Sequence, residues 1–298
     1  WTEGQRPRLR RASGQNARVP TSETDVAFYR DNGFLMVRGL FSVEEAEEFR
    51  NHYMRMNAEG VGAGRADLAY LDEKDPLLRY PRILQPHRWD EKSLRFMLDP
   101  RLRDVLAALD GAEPLAVQTM FYFKPPGARG QAIHQDNWYL RAKPGNCLAA
   151  WLAVDACDRQ NGCLQVVPGS HRLPLLCNVE ADTAKSFTGT QVPLPEGTEL
   201  VDMEMEPGDV LFFDGNLIHG SLPNRTADRF RRSLIGHYIS ACATQVASYY
   251  EPVYRFDGSI VDFRFVDEGG PCGVFVDRDG KQVVEMVPSR GVMADGPH

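Results

Sequence analysis

Hydrophobic residues near the start of the chain recur at helical spacing and lead into one short apolar run. Ser22 can cap the first helical stretch and Gly33 can end it, because glycine accepts the left-handed conformation that follows many helices. Residues 34–37 are all apolar, which predicts a buried strand. The pattern therefore predicts a helix followed at once by a strand.

Two further helices are predicted before residue 112. Ser42 and Glu45 have the spacing of a capping box in front of the amphipathic stretch 46–56. Pro100 favours the first turn of a helix over residues 101–109, since the amide that proline lacks would have no helical partner there. Residues 21–112 are thus predicted to form a helical preface.

From residue 115 the pattern changes to short β-rich runs separated by glycine, proline and asparagine turns. The predicted strands cover residues 115–123, 147–154, 164–167, 210–213 and 233–239. Many short strands after a helical preface indicate a mainly β fold with flanking helices. Its core would be a double-stranded β-helix, a cupin-like jelly roll, with helices bracing one sheet.

We predict a single domain over residues 21–298, made of the helical preface, a β core at 113–242 and a C-terminal extension at 243–298. The extension contains a predicted hairpin around Asp279-Gly280. Residues 1–20 are basic, polar and without apolar periodicity, which predicts a flexible arm. The missing initiator Met suggests that this end was processed or trimmed.

Composition narrows the class of protein. The net charge of −7 and the pI near 5.6 argue against a nucleic-acid partner, for which a basic surface would be expected. No apolar run approaches the length of a membrane span, and no secretory signal is evident, so a soluble protein without a membrane partner is predicted. We expect a monomer or a homodimer that binds a small-molecule substrate.

Six cysteines are scattered along the chain without CxxC pairs, so neither a zinc ribbon nor a disulfide framework is indicated. Three of them, Cys147, Cys157 and Cys163, lie close in sequence, and burial as small apolar residues is the expected role. We therefore expect reduced thiols and a cytoplasmic location.

Candidate chemistry centres on His134 and Asp136, which are two residues apart, and on the distant His219. In an extended strand, residues two apart project to one face, so His134 and Asp136 could reach one ion. Two histidines and one carboxylate are the ligand set of non-heme iron(II) oxygenases, which leaves positions open for oxygen and an oxidisable co-ligand. The HxD pattern alone is common by chance, and its context has to support it.

Other candidate residues have a plainer interpretation. His171 is predicted to order a loop, and His237 to be a core or pocket-edge residue. Trp89, Trp138 and Tyr139 could line a substrate site, although aromatic residues are more often simply buried.

Turn segments flank the proposed ligands in a characteristic order. They are Lys124-Pro125-Pro126-Gly127, Asn161-Gly162-Cys163-Leu164, Val167-Pro168-Gly169-Ser170-His171-Arg172, Glu206-Pro207-Gly208-Asp209, His219-Gly220-Ser221, Asn224-Arg225-Thr226 and Arg231-Arg232. In order and wording these motifs closely resemble the phytanoyl-CoA dioxygenase family of iron(II)- and 2-oxoglutarate-dependent oxygenases. The resemblance covers about residues 22–240.

The resemblance implies specific roles. His134, Asp136 and His219 match the iron ligands of that family, and Arg231 matches the arginine that pairs with the far carboxylate of 2-oxoglutarate. Arg229 and Arg232 lie close by, but alternation along a strand allows only one of Arg231 and Arg232 to face the barrel. The remaining matches are to positions that line or lie near the co-substrate pocket: Gln135, Trp151, Ser221 and Met120.

The resemblance thus implies a dioxygenase that uses Fe(II), 2-oxoglutarate and O2, hydroxylates an unactivated carbon of a small organic metabolite, and releases succinate and CO2. Asp136 favours oxygenation over halogenation, since related halogenases lack this carboxylate so that chloride can bind. Two alternatives stay open: a redox-silent cupin-like isomerase or hydrolase, and a non-catalytic 2-oxoglutarate-binding protein.

The substrate is expected to be small and polar or amphipathic, because no basic cluster suited to coenzyme A phosphates is evident. The polar segment 61–92 could be a lid over the substrate or a surface loop.

Overall fold

The computed structural model of the protein describes residues 10–11, 21–61, 74–267 and 270–288. Its helices are α1 (Glu23–Asn32), α2 (Val43–Ala58), α3 (Pro76–Arg79), α4 (Glu91–Met97), α5 (Pro100–Asp110) and α6 (Asn137–Leu140). Single 3-10 turns occur at Pro86–Arg88, Ser170–Arg172 and Ser248–Tyr250.

The strands, in chain order, fall into a core set and a C-terminal set. The core set is β1 (Arg10–Arg11), β2 (Phe34–Arg38), β3 (Ile83–Leu84), β4 (Leu115–Tyr122), β5 (Gln131–His134), β6 (Cys147–Ala153), β7 (Leu164–Val166), β8 (Val179–Glu180), β9 (Thr190–Gln191), β10 (Val201–Met203), β11 (Val210–Asp214), β12 (His219–Ser221) and β13 (Ser233–Ile239). The C-terminal set is β14 (Gln245–Ala247), β15 (Val253–Tyr254), β16 (Ile260–Val261), β17 (Arg264–Val266), β18 (Cys272–Arg278) and β19 (Lys281–Val287).

The predicted helix caps are confirmed. The Ser22 hydroxyl accepts from the Asp25 amide, and the Asp25 carboxylate accepts from the Ser22 amide in return, which completes a capping box at α1. Ser42 and Glu45 make the same reciprocal pair at α2. Gly33 ends α1 with a φ of 81°, which allows the chain to turn directly into β2.

Two sheets face each other in a jelly roll, as predicted. The larger sheet has the order β1-β2-β11-β6-β13-β4-β15-β16, with β3 added beside β4. The smaller sheet has the order β10-β7-β12-β5. Every pairing within these sheets except that of β1 with β2 is antiparallel.

One apolar cluster fills the space between the sheets, and another lies between the larger sheet and the helices. Met120, Trp151 and Leu211 of the larger sheet meet Leu164 and Val166 of the smaller one in the first cluster. The second cluster is formed by residues such as Tyr53, Phe96, Leu102, Phe121 and Phe212. The helical preface therefore braces the outer face of the larger sheet and leaves its inner face to form a site.

The C-terminal hairpin forms around Asp279-Gly280, as predicted, from β18 and β19. It packs Phe275 and Val284 against Leu176, Val192 and Ile218 beside the smaller sheet. Phe275 and Val284 are paired across the two strands, so one face of the hairpin is apolar.

A disulfide joins Cys177 to Cys272 at the start of the hairpin. The expectation of six unpaired thiols is wrong for this pair: its members are 95 residues apart in sequence, and only the fold brings them together. The other four cysteines are free, and Cys147, Cys157 and Cys163 are buried, as predicted.

Some predictions lie largely outside the described residues. Of the arm at residues 1–20, only Arg10–Arg11 are described, and they pair in parallel with β2. The segment 61–92 is described at residue 61 and from residue 74 onward, where it forms α3, β3 and a 3-10 turn. Among the described helices, none has the length and apolar character needed to cross a membrane.

Candidate active site

His134 and Asp136 lie at a junction between a strand and a helix. β5 ends at His134, and Asp136 has a helical backbone (φ −60°, ψ −37°) at the N-cap of α6. The two side chains still converge, but the reason given by the sequence is wrong, because the strand does not extend to Asp136. The turn into α6 brings the carboxylate round to the histidine.

His219 opens β12, which pairs with β5 so that His219 lies directly opposite His134. The His134 Nδ1 lies 2.8 Å from the carbonyl oxygen of Ala132, and the His219 Nδ1 lies 3.0 Å from that of Leu217. A carbonyl can only accept, so Nδ1 carries the proton in both rings and Nε2 keeps its lone pair. Both histidines are therefore held in the tautomer that binds a metal through Nε2.

The three side chains form one buried cluster. Their potential ligand atoms all lie within 4.8 Å of one another, and Asp136 Oδ1 is 3.4 Å from His134 Nε2 and 3.7 Å from His219 Nε2. Burial lowers the pKa of His219 to about 4, although Asp136 acts in the opposite direction. Burial alone would raise the pKa of Asp136, but the neighbouring histidines hold it well below its usual value. Neutral imidazoles and an ionised carboxylate are the states that bind a divalent metal.

A third histidine, His237 of β13, supports the cluster from the larger sheet. Its Nε2 lies 3.0 Å from Asp136 Oδ2, on the oxygen that the other two histidines leave free. Sequence reasoning placed His237 in the core or at the pocket edge, which is where it lies, but missed this contact. The sequence carried no signal for it, since the two residues are 101 positions apart.

Arg231 lies in the same cavity as the three side chains and is only 2 % exposed. Its Nε donates to the Gly162 carbonyl at 3.0 Å, its Nη1 donates to Ser233 Oγ at 3.1 Å, and its guanidinium lies 5.2 Å from the Trp151 ring centre. In the part of the chain that the structure describes, no carboxylate lies within ion-pair distance of Arg231. Its remaining donors are thus available to an anion.

Three further residues expected near a co-substrate line this cavity, namely Met120, Trp151 and Ser221. Gln135 does not, which corrects the expectation for its side chain. Its amide nitrogen donates to the carbonyls of Pro174 and Asn216, and its amide oxygen accepts from the Leu176 amide at 2.8 Å. Gln135 therefore faces away from the cavity and joins the loop before Cys177 to the segment that carries His219.

The neighbouring arginines are already paired. Arg229 forms an ion pair with Asp158, and Arg232 forms one with Asp155. This agrees with the expectation that only one of the two adjacent arginines faces the barrel, and identifies Arg231 as that residue.

The plainer interpretations hold for most of the other candidates. His171 contacts the Arg30 carbonyl at 3.0 Å and so connects its loop to α1. Trp89 packs against the cluster under the helices. Trp138 and Tyr139 are half-buried and are not among the side chains that line the described cavity, although the Tyr139 ring centre is 6.4 Å from that of His134.

Lys124 is a functional candidate that sequence reasoning treated only as part of a turn. It is 3 % exposed, and its Nζ donates to Ser221 Oγ at 2.8 Å. Burial and the nearby Arg231 lower the pKa of Lys124 well below its ordinary value. A lysine beside Pro-Pro-Gly reads as exposed in sequence, and only the fold shows that it is buried.

Comparisons with known proteins show the family to which the chain belongs. The family model for phytanoyl-CoA dioxygenase (PhyH) matches residues 29–233. The peroxisomal phytanoyl-CoA dioxygenase of Rattus norvegicus is 32% identical over 228 residues, covering 72% of this chain and 67% of that protein. A probable phytanoyl-CoA dioxygenase of Caenorhabditis elegans is 32% identical over 232 residues, covering 72% and 73%.

Solved structures show the same fold. The non-heme alpha ketoglutarate dependent carbocyclase SnoK from nogalamycin biosynthesis aligns with a TM-score of 0.63 and 23% identity, over 78% of this chain and 89% of that one. EctD from S. alaskensis, solved with 2-oxoglutarate and 5-hydroxyectoine, aligns with a TM-score of 0.57 and 23% identity, over 79% and 81%. The chain belongs to the phytanoyl-CoA dioxygenase family and is a 2-oxoglutarate-dependent non-heme iron dioxygenase.

Proposed function

We propose that His134, Asp136 and His219 hold the iron(II) of this enzyme and that Arg231 binds the far carboxylate of 2-oxoglutarate. One observation carries the proposal: a two-histidine, one-carboxylate cluster shares a buried cavity with an arginine that has no acidic partner among the described residues. An unpaired buried charge is unfavourable, so an anionic ligand in this cavity would stabilise it.

The residues of the chain supply position and environment. The carbonyls that hold Nδ1 of His134 and His219 direct both Nε2 atoms to one point. The planar guanidinium of Arg231 can hold a carboxylate through two parallel bonds, which fixes the orientation of a keto acid along the cavity. Met120 and Trp151 contribute apolar walls that limit the access of water.

We infer that the reaction is hydroxylation of an unactivated carbon in a small organic metabolite. Bound iron and 2-oxoglutarate supply the oxidising chemistry, consuming O2 and releasing succinate and CO2. Asp136 supports oxygenation, since it occupies with a carboxylate the ligand position that halogenases leave to chloride. Two proteins of similar fold are named as a carbocyclase and an epimerase. Hydroxylation of the substrate carbon is therefore our proposal for this chain and is not taken from the names of those proteins.

The substrate class is the less constrained part of the proposal. Several relatives in sequence are named for an acyl-CoA, whereas SnoK is named for nogalamycin biosynthesis and EctD was solved with 5-hydroxyectoine. The acidic balance of the chain favours a substrate without several phosphates, so we propose a small polar or amphipathic metabolite. The cytoplasmic location and the monomeric or dimeric state stay predictions, and the mammalian relatives are named as peroxisomal.

Arg231 also bears on the alternative functions. A redox-silent isomerase or hydrolase would need the metal cluster but no arginine beside it, so the shared cavity supports an oxygenase. A non-catalytic binder would keep both features, and turnover distinguishes it from an enzyme.

The test is an anaerobic titration of the purified chain with iron(II) and 2-oxoglutarate, followed by the visible charge-transfer absorption of the chelate. We expect the absorption in wild type, its loss in His134→Ala and His219→Ala, and at least tenfold weaker 2-oxoglutarate binding in Arg231→Ala, as about 1.4 kcal/mol corresponds to tenfold. Unchanged binding in Arg231→Ala would contradict the assignment. Succinate release under air across a panel of small metabolites and acyl-CoAs then identifies the substrate class.

A further inference from the structure

Lys124 is joined through its backbone to Arg231, which lines the cavity of the proposed carboxylate site. It follows β4 with a φ of 35°, a conformation that residues other than glycine adopt rarely. Its carbonyl accepts from the Arg231 amide and from the Asn224 side chain, each at 3.1 Å. The lysine and the arginine are therefore held in a fixed relation, although they are far apart in sequence.

The side chain of Lys124 is equally constrained. Its Nζ donates to Ser221 Oγ at 2.8 Å and to the Leu222 carbonyl. A Cβ atom at Gly162 would lie 2.9 Å from Lys124 Cδ and 2.5 Å from the Leu222 oxygen, so only glycine leaves room for this approach. The same Gly162 accepts from Arg231 Nε, which places both cations around one glycine.

The contact with Lys124 determines what the Ser221 hydroxyl can do. Ser221 Oγ accepts from Lys124 Nζ and also from the Gln131 amide at 3.2 Å. A hydroxyl oxygen accepts two hydrogen bonds, and here both positions are filled. The Gln131 backbone amide cannot accept in return, and neither can Lys124 in its ammonium form, which an anion bound beside Arg231 favours. The hydroxyl proton must therefore be donated elsewhere, and Ser221 lines the cavity.

Charge acts in the same direction. In the described ranges, neither Lys124 nor Arg231 has a carboxylate within ion-pair distance. An anionic ligand here would offset the burial and the repulsion from Arg231 that lower the pKa of Lys124, and would favour its ammonium form. A ligand that brings hydrogen-bond acceptors and a negative charge is stabilised there, while a ligand end that is apolar gains nothing from Lys124 or Ser221.

We propose that Lys124 is a positioning residue that commits the Ser221 hydroxyl to donate into the cavity, and that this selects a keto acid with a carboxylate at its far end. The inference rests on the proposed function, because it takes the far carboxylate of 2-oxoglutarate as the ligand beside Arg231. Lys124 acts through Ser221 and by its charge, since its own Nζ is turned to Ser221 and Leu222.

The test compares two keto acids of equal chain length, 2-oxoglutarate and 2-oxopentanoate, which lacks the far carboxylate. Each is titrated anaerobically into the iron(II)-loaded wild type and into Lys124→Met, which keeps the length of the side chain without its donors. We expect Lys124→Met to weaken the binding of 2-oxoglutarate by about tenfold or more, the effect expected when a charge-assisted hydrogen bond is lost. The affinities for 2-oxopentanoate and for iron(II) should stay within about twofold of the wild-type values, because neither ligand places a carboxylate beside Ser221.

Further variants separate positioning from a general structural effect. Lys185, whose side chain is 83% exposed, gives the matched control Lys185→Met, which should change neither keto acid. In the double variant Lys124→Met with Ser221→Ala, the loss of 2-oxoglutarate binding free energy should be smaller than the sum of the losses in the two single variants. If Lys124→Met does not fold, Lys124→Gln keeps a donor to Ser221 and should lose less 2-oxoglutarate affinity than Ser221→Ala.

The outcomes separate the two levels of the proposal. Three outcomes would overturn the role of Lys124 and leave the enzyme assignment intact. They are equal weakening of the binding of both keto acids in Lys124→Met, unchanged 2-oxoglutarate affinity in that variant, and fully additive losses of binding free energy in the double variant. A wild type that binds iron(II) but no 2-oxoglutarate would overturn the proposed function and this inference together.

Discussion

His237 donates its Nε2 proton to Asp136 Oδ2 across 3.0 Å, from the larger sheet to the junction after β5. The carboxylate can only accept, because its pKa is held well below the usual value, so the histidine is the donor. Because this bond engages Oδ2, it is Asp136 Oδ1 that faces the Nε2 atoms of His134 and His219.

The first prediction concerns iron affinity. His237→Phe removes the donor and should weaken iron(II) binding by about 10- to 100-fold, the usual effect of losing a partner that orients a metal ligand. His237→Gln can place an amide N–H near the same oxygen and should recover part of the affinity. Competition with a chelator under anaerobic conditions measures both. Wild-type affinity in His237→Phe would show that Asp136 does not need this partner.

The second prediction concerns acid stability of the metal-free protein. Burial lowers the pKa of His87 to about 3, and burial lowers that of His219 to about 4. The unfolded chain therefore takes up these protons near pH 6.5, before the folded chain does. Stability is full above that pH and should fall as the pH drops toward 4, by up to about 1.4 kcal/mol per pH unit for each histidine.

His87 provides a test of this slope away from the metal site. Its Nδ1 accepts from the Thr119 amide at 3.2 Å, so protonation of Nδ1 would break that bond. His87→Gln should flatten the decline in the free energy of unfolding between pH 6.5 and 4, measured by urea denaturation. An unchanged slope would mean that His87 does not titrate in this range.

The third prediction concerns Asp214. Burial raises the pKa of its carboxyl to about 6, and Asp110 adds to the effect, while bonds from the Asn216 amide and the Asn146 side chain oppose it. An acid with a raised folded pKa favours the folded state below the unfolded pKa near 4 and loses that contribution as the pH rises through 6.

Asp214→Asn keeps an acceptor for Asn146 and Asn216 without a charge. It should raise the free energy of unfolding by about 1–2 kcal/mol at pH 8 and leave it unchanged at pH 4. Thermal unfolding at the two pH values is the measurement, with Asp262→Asn at an exposed position as a control for the substitution itself. A gain that is equal at both pH values would point to packing and not to charge.

The fourth prediction concerns the disulfide. Replacing Cys177 and Cys272 by serine should lower the free energy of unfolding by about 3–5 kcal/mol, since the bond closes a long loop in the unfolded chain. Reduction of wild type should have a similar effect, and Cys242→Ser, at the exposed free thiol, should have none. Equal melting temperatures with and without reductant would contradict it.

The sequence predicted the principal elements well because their signals are local. Capping residues at Ser22 and Ser42 set two helix starts, and β13 has the limits that its β-rich run predicts. The short strands β14 to β17 had no such signal. Each has two or three residues and exists only through its neighbours in the fold.

The proposed ligands could be identified from the sequence, but the contacts that support them could not. His134, Asp136, His219 and Arg231 stand out by residue type and by resemblance. The roles of His237 and Lys124 depend on strand register and on burial, which bring together residues about a hundred positions apart. Gln135 was expected at the co-substrate pocket from the family resemblance, but its side chain turns away from the two proposed ligands that flank it in sequence.

Because Gln135 turns away from the cavity, the adjacent backbone amides of Leu176 and Cys177 report on different motions in a hydrogen-exchange experiment. The Leu176 amide donates to Gln135 and so exchanges only when the segment between the proposed metal ligands loosens. The Cys177 amide donates to Gly273 and exchanges when the hairpin detaches. If adding iron slows exchange at Leu176 alone, metal binding stabilises only the segment around Gln135. Slower exchange at both would show that the ligand segment and the hairpin open as one cooperative unit.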